Sequence, residues 1–583
     1  MTYIIYILSL ILLLTKILSG QDFQKSIAMH GETNRPDSIA RENKVFLNAP
    51  INKLLKLGHI GTFNSINPYI IKGISPPGIK GLIIESLMNW SPDEPFSLYP
   101  GIASEIKTNK ARTWVEFKIH NDAKFSDNSK ITAEDIEFSL NILRTHGRPH
   151  TRSYYSYVEK IEIISSNTIK FYFNKNSNYE MPLIMGLMPV LSKSYWKDKK
   201  FDKTTLTPFI SSGPYLIEKI IPGRSITYKK NPHWWNKDSP DSLGRYNFEL
   251  IKYDFYRDSN VSLEAFLSGE YDILIEENAI RWKESYTNKN IIKKIFHKKS
   301  PSGIEAIMLN SRKFPLNDNN TREALSIIFP HDFINKIINH NLLKKTNGPW
   351  DNSELAATKS ASLLTKSVLG NYQDNISKKA LNDLNNNIIS ERQKIKTALK
   401  LLSKSGWELN NGKMINKKTN ETLRIEVLTN QAKMEKVLLI WKDKLKKIGV
   451  DLKIRVVDSS QFQSRLQNFD YDAIIFKYYM SLSPGNEQSI YWGSWAAEQN
   501  GSRNYSGIKH AAIDEIIDKI TNAKNRSNLI EYTQTLDRLL RAGNWMIPLF
   551  HDPLHRIAYQ NYISIPSEIP LYGFNPWTAW KDN

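Results

Sequence analysis

Cysteine is missing from all 583 residues. Its absence excludes disulfides, thiolate metal sites and cysteine nucleophiles; it is compatible with an oxidising compartment without requiring one. Long apolar runs are nearly missing as well. Beyond the first 20 residues nothing approaches the ~18 consecutive apolar residues of a membrane-spanning helix. The phosphate-binding loop is missing too. Gly73-Ile74-Ser75-Pro76-Pro77-Gly78-Ile79 starts like one, but it lacks the Lys and Ser/Thr and carries two prolines where a phosphate cradle needs amides. No Gly-x-Gly-x-x-Gly fingerprint and no Gly-x-Ser-x-Gly elbow occurs. Two histidine pairs, His146/His150 and His551/His555, have metal-like i, i+4 spacing, but Pro149 and Pro553 break the helix that spacing needs. Carboxylates are plentiful, yet nothing in the sequence singles out an acid or a base.

What is present starts with a leader. Ile4 to Leu14 is almost unbroken apolar sequence and Ser19-Gly20 supplies small residues, so residues 1–20 are expected to be a secretory signal peptide. The run has no Lys or Arg before it and Lys16 after it, which leaves an uncleaved anchor as the alternative. The formal charge is +20, or 20 − 1 = +19 once Lys16 leaves. Lys is dispersed among 59 acidic residues rather than gathered on one face, so no nucleic-acid partner is expected. The charge would favour acidic ligands or an anionic membrane face.

Along the chain, 21–41 is polar and reads as loosely held. Lys53 to Leu57 is a strand that breaks into a turn at Asn67-Pro68, and Lys80 to Leu87 suits a first helix. Trp114 to Ile119 alternates as a strand. Thr132-Ala133-Glu134-Asp135 opens a helix, and 161–173 reads as a strand pair. Leu343 to Ser390 reads as a long polar connection with short helices. Beyond it, alternation at 423–427, helical spacing through Leu438, Trp441 and Leu445, and alternation at 450–456 predict a βαβ unit. Such a unit implies parallel pairing and an α/β lobe.

The positive signal lies where strands end. Asp472 to Phe476 reads as a buried strand emptying into a Gly/Ser/Asn loop from Ser481 to Asp514 that holds Tyr491, Trp492 and Trp495. Thr62 to Asn67 and Ser211 to Tyr215 are similar endings. Strand termini facing a crevice are where α/β lobes bind ligands. An exported, catalytically blank, two-lobed α/β chain is therefore a candidate binding protein.

At this point the residues resemble a family. Thr132 to Ser139, Gly213-Pro214-Tyr215, Arg322-Glu323-Ala324-Leu325, Leu401-Leu402-x-x-x-Gly406-Trp407 and Tyr471-Asp472 are similar to motifs of family 5 extracellular solute-binding proteins, the peptide/nickel group of ABC importers. Met29-His30-Gly31, Gly61 to Pro68, Asp351 to Ala356, Ser483 to Gln488 and Gly501 to Asn504 resemble the YejA-like branch, linked to oligopeptide and microcin C uptake. The resemblance runs from about Asn48 to the C-terminus. It implies an α/β, bilobal periplasmic binding protein (a type II-like flytrap, cluster C) with an additional third domain. Lobe I would comprise 42–85, 207–312 and 541–583, the extra domain 86–206, and lobe III 313–540. It further implies a periplasmic monomer without cofactor, hinge closure over an oligopeptide or peptide-like solute, and delivery to an inner-membrane ABC permease. Two alternatives stay open: a secreted hydrolase acting on peptides or glycans, and binding of a metal complex such as nickel.

The expected ligand-binding residues follow from that resemblance. Trp492, Trp495 and Tyr478 would form apolar and stacking walls. Asn486, Asn504 and Ser481 would fix polar atoms, and Arg503 would meet a carboxylate or phosphate. Thr62, Phe63 and Asn64 would close the site from lobe I. Each has a plainer alternative: either Trp in the core, Arg503 in an internal salt bridge. One departure stands out. In the peptide-binding branches an Asp just after the aromatic end of the lobe III strand holds the peptide's amino terminus; here Ser481 stands about there, and the nearest acid is Glu487. Either Glu487 replaces that Asp or the ligand is held differently.

Overall fold

The computed structural model describes residues 22–34, 45–239, 242–384 and 390–582. The leader lies outside them. Among the described residues no helix is long and apolar enough to cross a membrane. The chain divides into two compact units. One comprises Met1–Glu276, Tyr286–Phe296 and Arg556–Asn583; the other comprises Glu277–Ser285 and His297–His555.

The first unit is built on a seven-stranded sheet in the order Ile291–His297, Leu554–Gln560, Ile273–Glu276, Asn52–Ile60, Phe248–Tyr256, Ser225–Lys230 and Tyr215–Ile221. The strands Asn52–Ile60 and Phe248–Tyr256 run parallel, with Asn52 opposite Phe248 and Ile60 opposite Tyr256. Asp272, fully buried, ties this sheet together. Its carboxylate accepts the Lys56 backbone N–H (2.8 Å) and the Tyr562 hydroxyl (2.8 Å), joining segments almost 300 residues apart. A buried carboxylate survives only when such donors replace its water.

The same unit holds an antiparallel four-stranded sheet, Ala103–Thr108, Trp114–Ile119, Thr168–Phe173 and Val158–Ser165 in that order. The helix Ala133–His146 starts where Thr132 predicts: the Thr132 backbone N–H and hydroxyl both donate to the Asp135 carboxylate (3.0 and 2.9 Å). Two expectations differ here. Residues 79–87 form no regular helix, because Gly81 takes φ 92° and Lys80 is extended, leaving a tight turn at Ile79–Ile83. The part of 21–41 that is described is not loose either. The Arg112 guanidinium donates to the Ala28 carbonyl at 2.6 Å, Met29 is buried, and Ile27–Ala28 pairs with Ser97–Pro100.

The second unit has a five-stranded sheet in the order Asp451–Val456, Arg424–Thr429, Ala473–Tyr478, Ile304–Leu309 and Met546–Pro548. The predicted βαβ unit is there: Arg424–Thr429 and Asp451–Val456 pair in parallel across the helix Glu435–Lys446. Ile304–Leu309 and Met546–Pro548 fall in ranges that the sequence reading gave to lobe I. They lie instead in this second sheet, since Ile304–Leu309 pairs antiparallel with Ala473–Tyr478 along its whole length. The long polar connection is docked, with Trp350, Leu355 and Thr346 fully buried and the helices Leu363–Leu369 and Asn375–Leu381 along it.

Trp441 is a keystone of the second core: its ring is fully buried, 5.7 Å from Phe329, and its indole N–H has no partner among the described residues. Trp441→Ala should destabilise this unit by about 3–5 kcal/mol, read as a clear drop in its thermal unfolding temperature. Trp441→Phe, which deletes an unsatisfied donor while keeping a ring, should cost visibly less. Leu363→Ala, at a side chain 86% exposed, should stay within about 0.5 kcal/mol of the parent.

Candidate functional site

In the second unit the strand Ala473–Tyr478 is buried on both faces through Ala473, Ile474 and Ile475, as its apolar run requires, turns Lys477 to solvent, and ends in a knot of rings. Tyr478 is fully enclosed, with ring centroids 4.9 Å from Tyr491, 4.8 Å from Trp492 and 5.0 Å from Phe476. Its hydroxyl donates to the Arg503 carbonyl at 2.5 Å, and burial holds the phenol in its protonated, donating form.

The segment that follows is less of a loop than its composition suggests. It contains two short helices, Glu487–Trp492 and Ser494–Ala497, separated by Gly493. A Cβ at Gly493 would stand 2.5 Å from the Ser489 carbonyl, so only glycine fits this junction. Side-chain bonds run through the first helix. Trp492 Nε1 donates to Gln488 Oε1 (3.0 Å), Gln488 Nε2 donates to Glu487 Oε1 (2.9 Å), and the Gly485 N–H donates to both Glu487 oxygens (3.1 and 3.2 Å). Asn504, fully buried, donates to the Gly493 and Ile508 carbonyls (2.9 Å each) and accepts the Ile508 N–H (2.8 Å).

The predicted site residues therefore divide into two groups. Tyr478, Trp492 and Asn504 are scaffold, with Trp492 only 1% exposed. Trp495 is 55% exposed and Arg503 is exposed with no ion pair among the described residues, so the core Trp and internal salt-bridge alternatives fail for this pair. Their backbones are neighbours, because Ser502 Oγ donates to the Ala496 carbonyl at 2.5 Å. Ser481 is half-buried and accepts the Ser483 N–H at 3.2 Å; Asn486 is half-buried at the start of the first helix. The Glu487 carboxylate is turned back onto its own loop by Gly485 and Gln488.

In the first unit Thr62 and Asn64 are exposed just past the end of Asn52–Ile60. Asn64 is tied down, its Oδ1 accepting the Ile74 N–H at 2.8 Å. Phe63 is 1% exposed and packs on Phe255 at 4.8 Å, so it belongs to the core and not to a ligand wall.

Two residues escaped the sequence reading. Tyr479 is 76% exposed beside Tyr478; an alternation that buries one ring at a strand end turns the next one outward, which was the available signal. Arg312 braces the whole loop. Its guanidinium donates to the Asn504 and Ala497 carbonyls (2.7 Å each) and lies 3.7 Å from the Phe469 ring centroid. No local pattern marks it, because its partners lie nearly 190 residues away.

Residues 97–500 match the family described as bacterial extracellular solute-binding proteins, family 5. A binding protein of Brucella suis biovar 1 is 33% identical over 575 residues, covering 95% of this chain and 93% of that one. The YejA peptide-binding protein of Agrobacterium fabrum is 30% identical over 593 residues, covering 98% and 96%. Among solved structures, the oligopeptide-binding protein AppA of Bacillus subtilis in complex with a nonapeptide superposes with a TM-score of 0.67 at 18% identity, over 92% of this chain and 100% of that one. The family and the YejA-like resemblance read from the motifs are both borne out, and the chain belongs to the family 5 bacterial extracellular solute-binding proteins.

Proposed function

We propose that this protein is the solute-capturing component of an ABC importer, binding peptides or peptide-like solutes in the periplasm after export by its leader. It would act as a monomer, without catalysis, closing over its ligand and delivering it to an inner-membrane permease. Closure needs only that the ligand bind the closed form better than the open one. The observation that carries this reading is the exposure of Trp495, Tyr479 and Arg503 around a strand end that buried Tyr478, Trp492 and Asn504 hold in place. Family membership and the peptide-binding relative support the solute class.

The same geometry sets a preference within that class. No carboxylate stands at Ser481, and the Glu487 carboxylate is occupied by its own loop. A ligand's ammonium therefore finds no obvious partner on this face, whereas the Arg503 guanidinium is open to a carboxylate. Binding should depend on the ligand's acidic group more than on its amine.

Native mass spectrometry of protein purified from cell envelopes should show a co-purified peptide-like solute. An empty protein with no peptide-induced thermal shift, or one that cleaves peptides and loses that activity on Glu487→Gln, would overturn the reading. With a bound peptide in hand, C-terminal amidation should weaken affinity about tenfold or more, the value of one charge-assisted hydrogen bond, while N-acetylation should be tolerated.

Variants should separate contact from scaffold. Trp495→Ala and Arg503→Ala should each weaken binding with unchanged unfolding temperature. Asn504→Ala removes three buried hydrogen bonds and should lose affinity together with roughly 1–3 kcal/mol of local stability, seen as faster amide exchange across 493–508.

A further inference from the structure

The first unit contains a cavity of about 550 Å³, within the range of small-molecule sites. It is separate from the strand ends described above. Tyr246 and Trp577 form part of its wall, and Tyr246 stands just before Phe248, at the starting end of the strand pair. Thr62 and Asn64 follow Ile60, at the finishing end. With the nine-residue strand Asn52–Ile60 between them, the two places are about 25 Å apart.

Two features of this cavity are unusual together. Its inner wall carries Glu85, 8% exposed, whose Oε2 alone accepts both the Trp234 and Trp235 indole N–H groups (3.3 and 3.1 Å). Among the described residues Oε1 has no hydrogen-bond partner and the carboxyl makes no ion pair. Burial pushes its pKa up to about 8, the indole bonds opposing. Around it stand aromatic rings, with Trp234 5.6 Å from Tyr246 and Trp90 4.7 Å from Tyr572. Ring faces favour a cation, and a buried carboxylate lacking a charge partner favours one still more.

The exposed rim bears the opposite sign. Lys80 Nζ lies 5.2 Å from the Tyr69 ring centroid, and Lys80 and Arg148 repel one another with no acid paired to either among the described residues. Such a rim favours an anion.

We propose that this cavity is a second ligand site, for a small zwitterion of the α-amino-acid type, its ammonium on Glu85 Oε1 among the rings and its carboxylate toward Lys80. Because burial in the empty site favours the neutral Glu85 carboxyl, a bound ammonium would displace its proton. The other charged or titratable groups lining the cavity are Lys80, Arg245, Tyr69, Tyr246 and Tyr572, and His120 packs behind, on Trp235. Burial keeps the Tyr69 phenol neutral, and Glu85 is the proposed proton source.

Calorimetric titration of the full chain with L-phenylalanine at pH 7 is the test. One-to-one binding should release close to one proton, read from the dependence of heat on buffer ionisation. N-acetyl-L-phenylalanine and phenethylamine, each lacking one charge, should bind more weakly. Glu85→Gln, which keeps an oxygen for the indoles, should weaken phenylalanine about tenfold or more and abolish proton release. Trp495→Ala, which should weaken peptide binding, should leave phenylalanine affinity and proton release as they are, so this site and the transport face stand or fall separately. Should Glu85→Gln fail to fold, the exposed Lys80→Ala should weaken phenylalanine but not phenethylamine. No heat with phenylalanine, equal binding of the N-acetyl compound, or loss of binding in Trp495→Ala overturns the proposal.

Discussion

A single buried phenol organises the segment that follows the strand Ala473–Tyr478. Tyr478 is the buried last residue of the strand Ala473–Tyr478, and its hydroxyl holds the Arg503 carbonyl. An unpaired hydroxyl or carbonyl at that depth would cost more than the bond gains, so the strand end and the loop beyond Gly501 are locked to each other. Everything outward depends on that lock. The ring knot around Tyr478 turns Tyr479 to solvent, the Asn504 bonds return the chain to Gly493, and Arg312 clamps the two backbones. Trp495 and Arg503 are thereby presented on a fixed frame, and a preformed frame loses little entropy on binding.

Acidic groups are used with unequal purpose. Asp272 is buried with both oxygens supplied by donors, and it stitches distant parts of one sheet. Glu487 is spent on shaping its own loop. Glu85 is buried with one oxygen supplied and the other bare. The first two are the arrangements expected of structural carboxylates, because every acceptor has been given a donor. The third leaves an oxygen without a protein donor at the wall of a cavity, which is why Glu85 points to a ligand and the others do not.

Much of the architecture was legible because it rests on local periodicity. Alternation at 114–119 and 450–456, helical spacing from Leu438 to Leu445 and the Thr132–Asp135 start all act within a few residues, and each appears as read. The departures have physical causes that no short window contains. Gly81 turns 79–83 away from a helix through a positive φ. Arg112 captures the 22–34 segment from more than 80 residues away. The sheet that takes in Ile304–Leu309 and Met546–Pro548 was chosen by strand pairing, which composition does not encode.

The site shows the same division. Its place at the end of Ala473–Tyr478, its aromatic character and its lack of an Asp at position 481 are properties of the sequence by itself, and so is the family. Which aromatic side chains are exposed there was decided only by tertiary structure. Trp492 and Trp495 are three residues apart and chemically identical, yet one is locked on Gln488 inside the core and the other stands in solvent. Phe63 and Asn504 read as ligand contacts until packing made them core and brace. The physical reason is that exposure belongs to how segments far apart in the chain cover one another, whereas residue type and spacing belong to the chain alone.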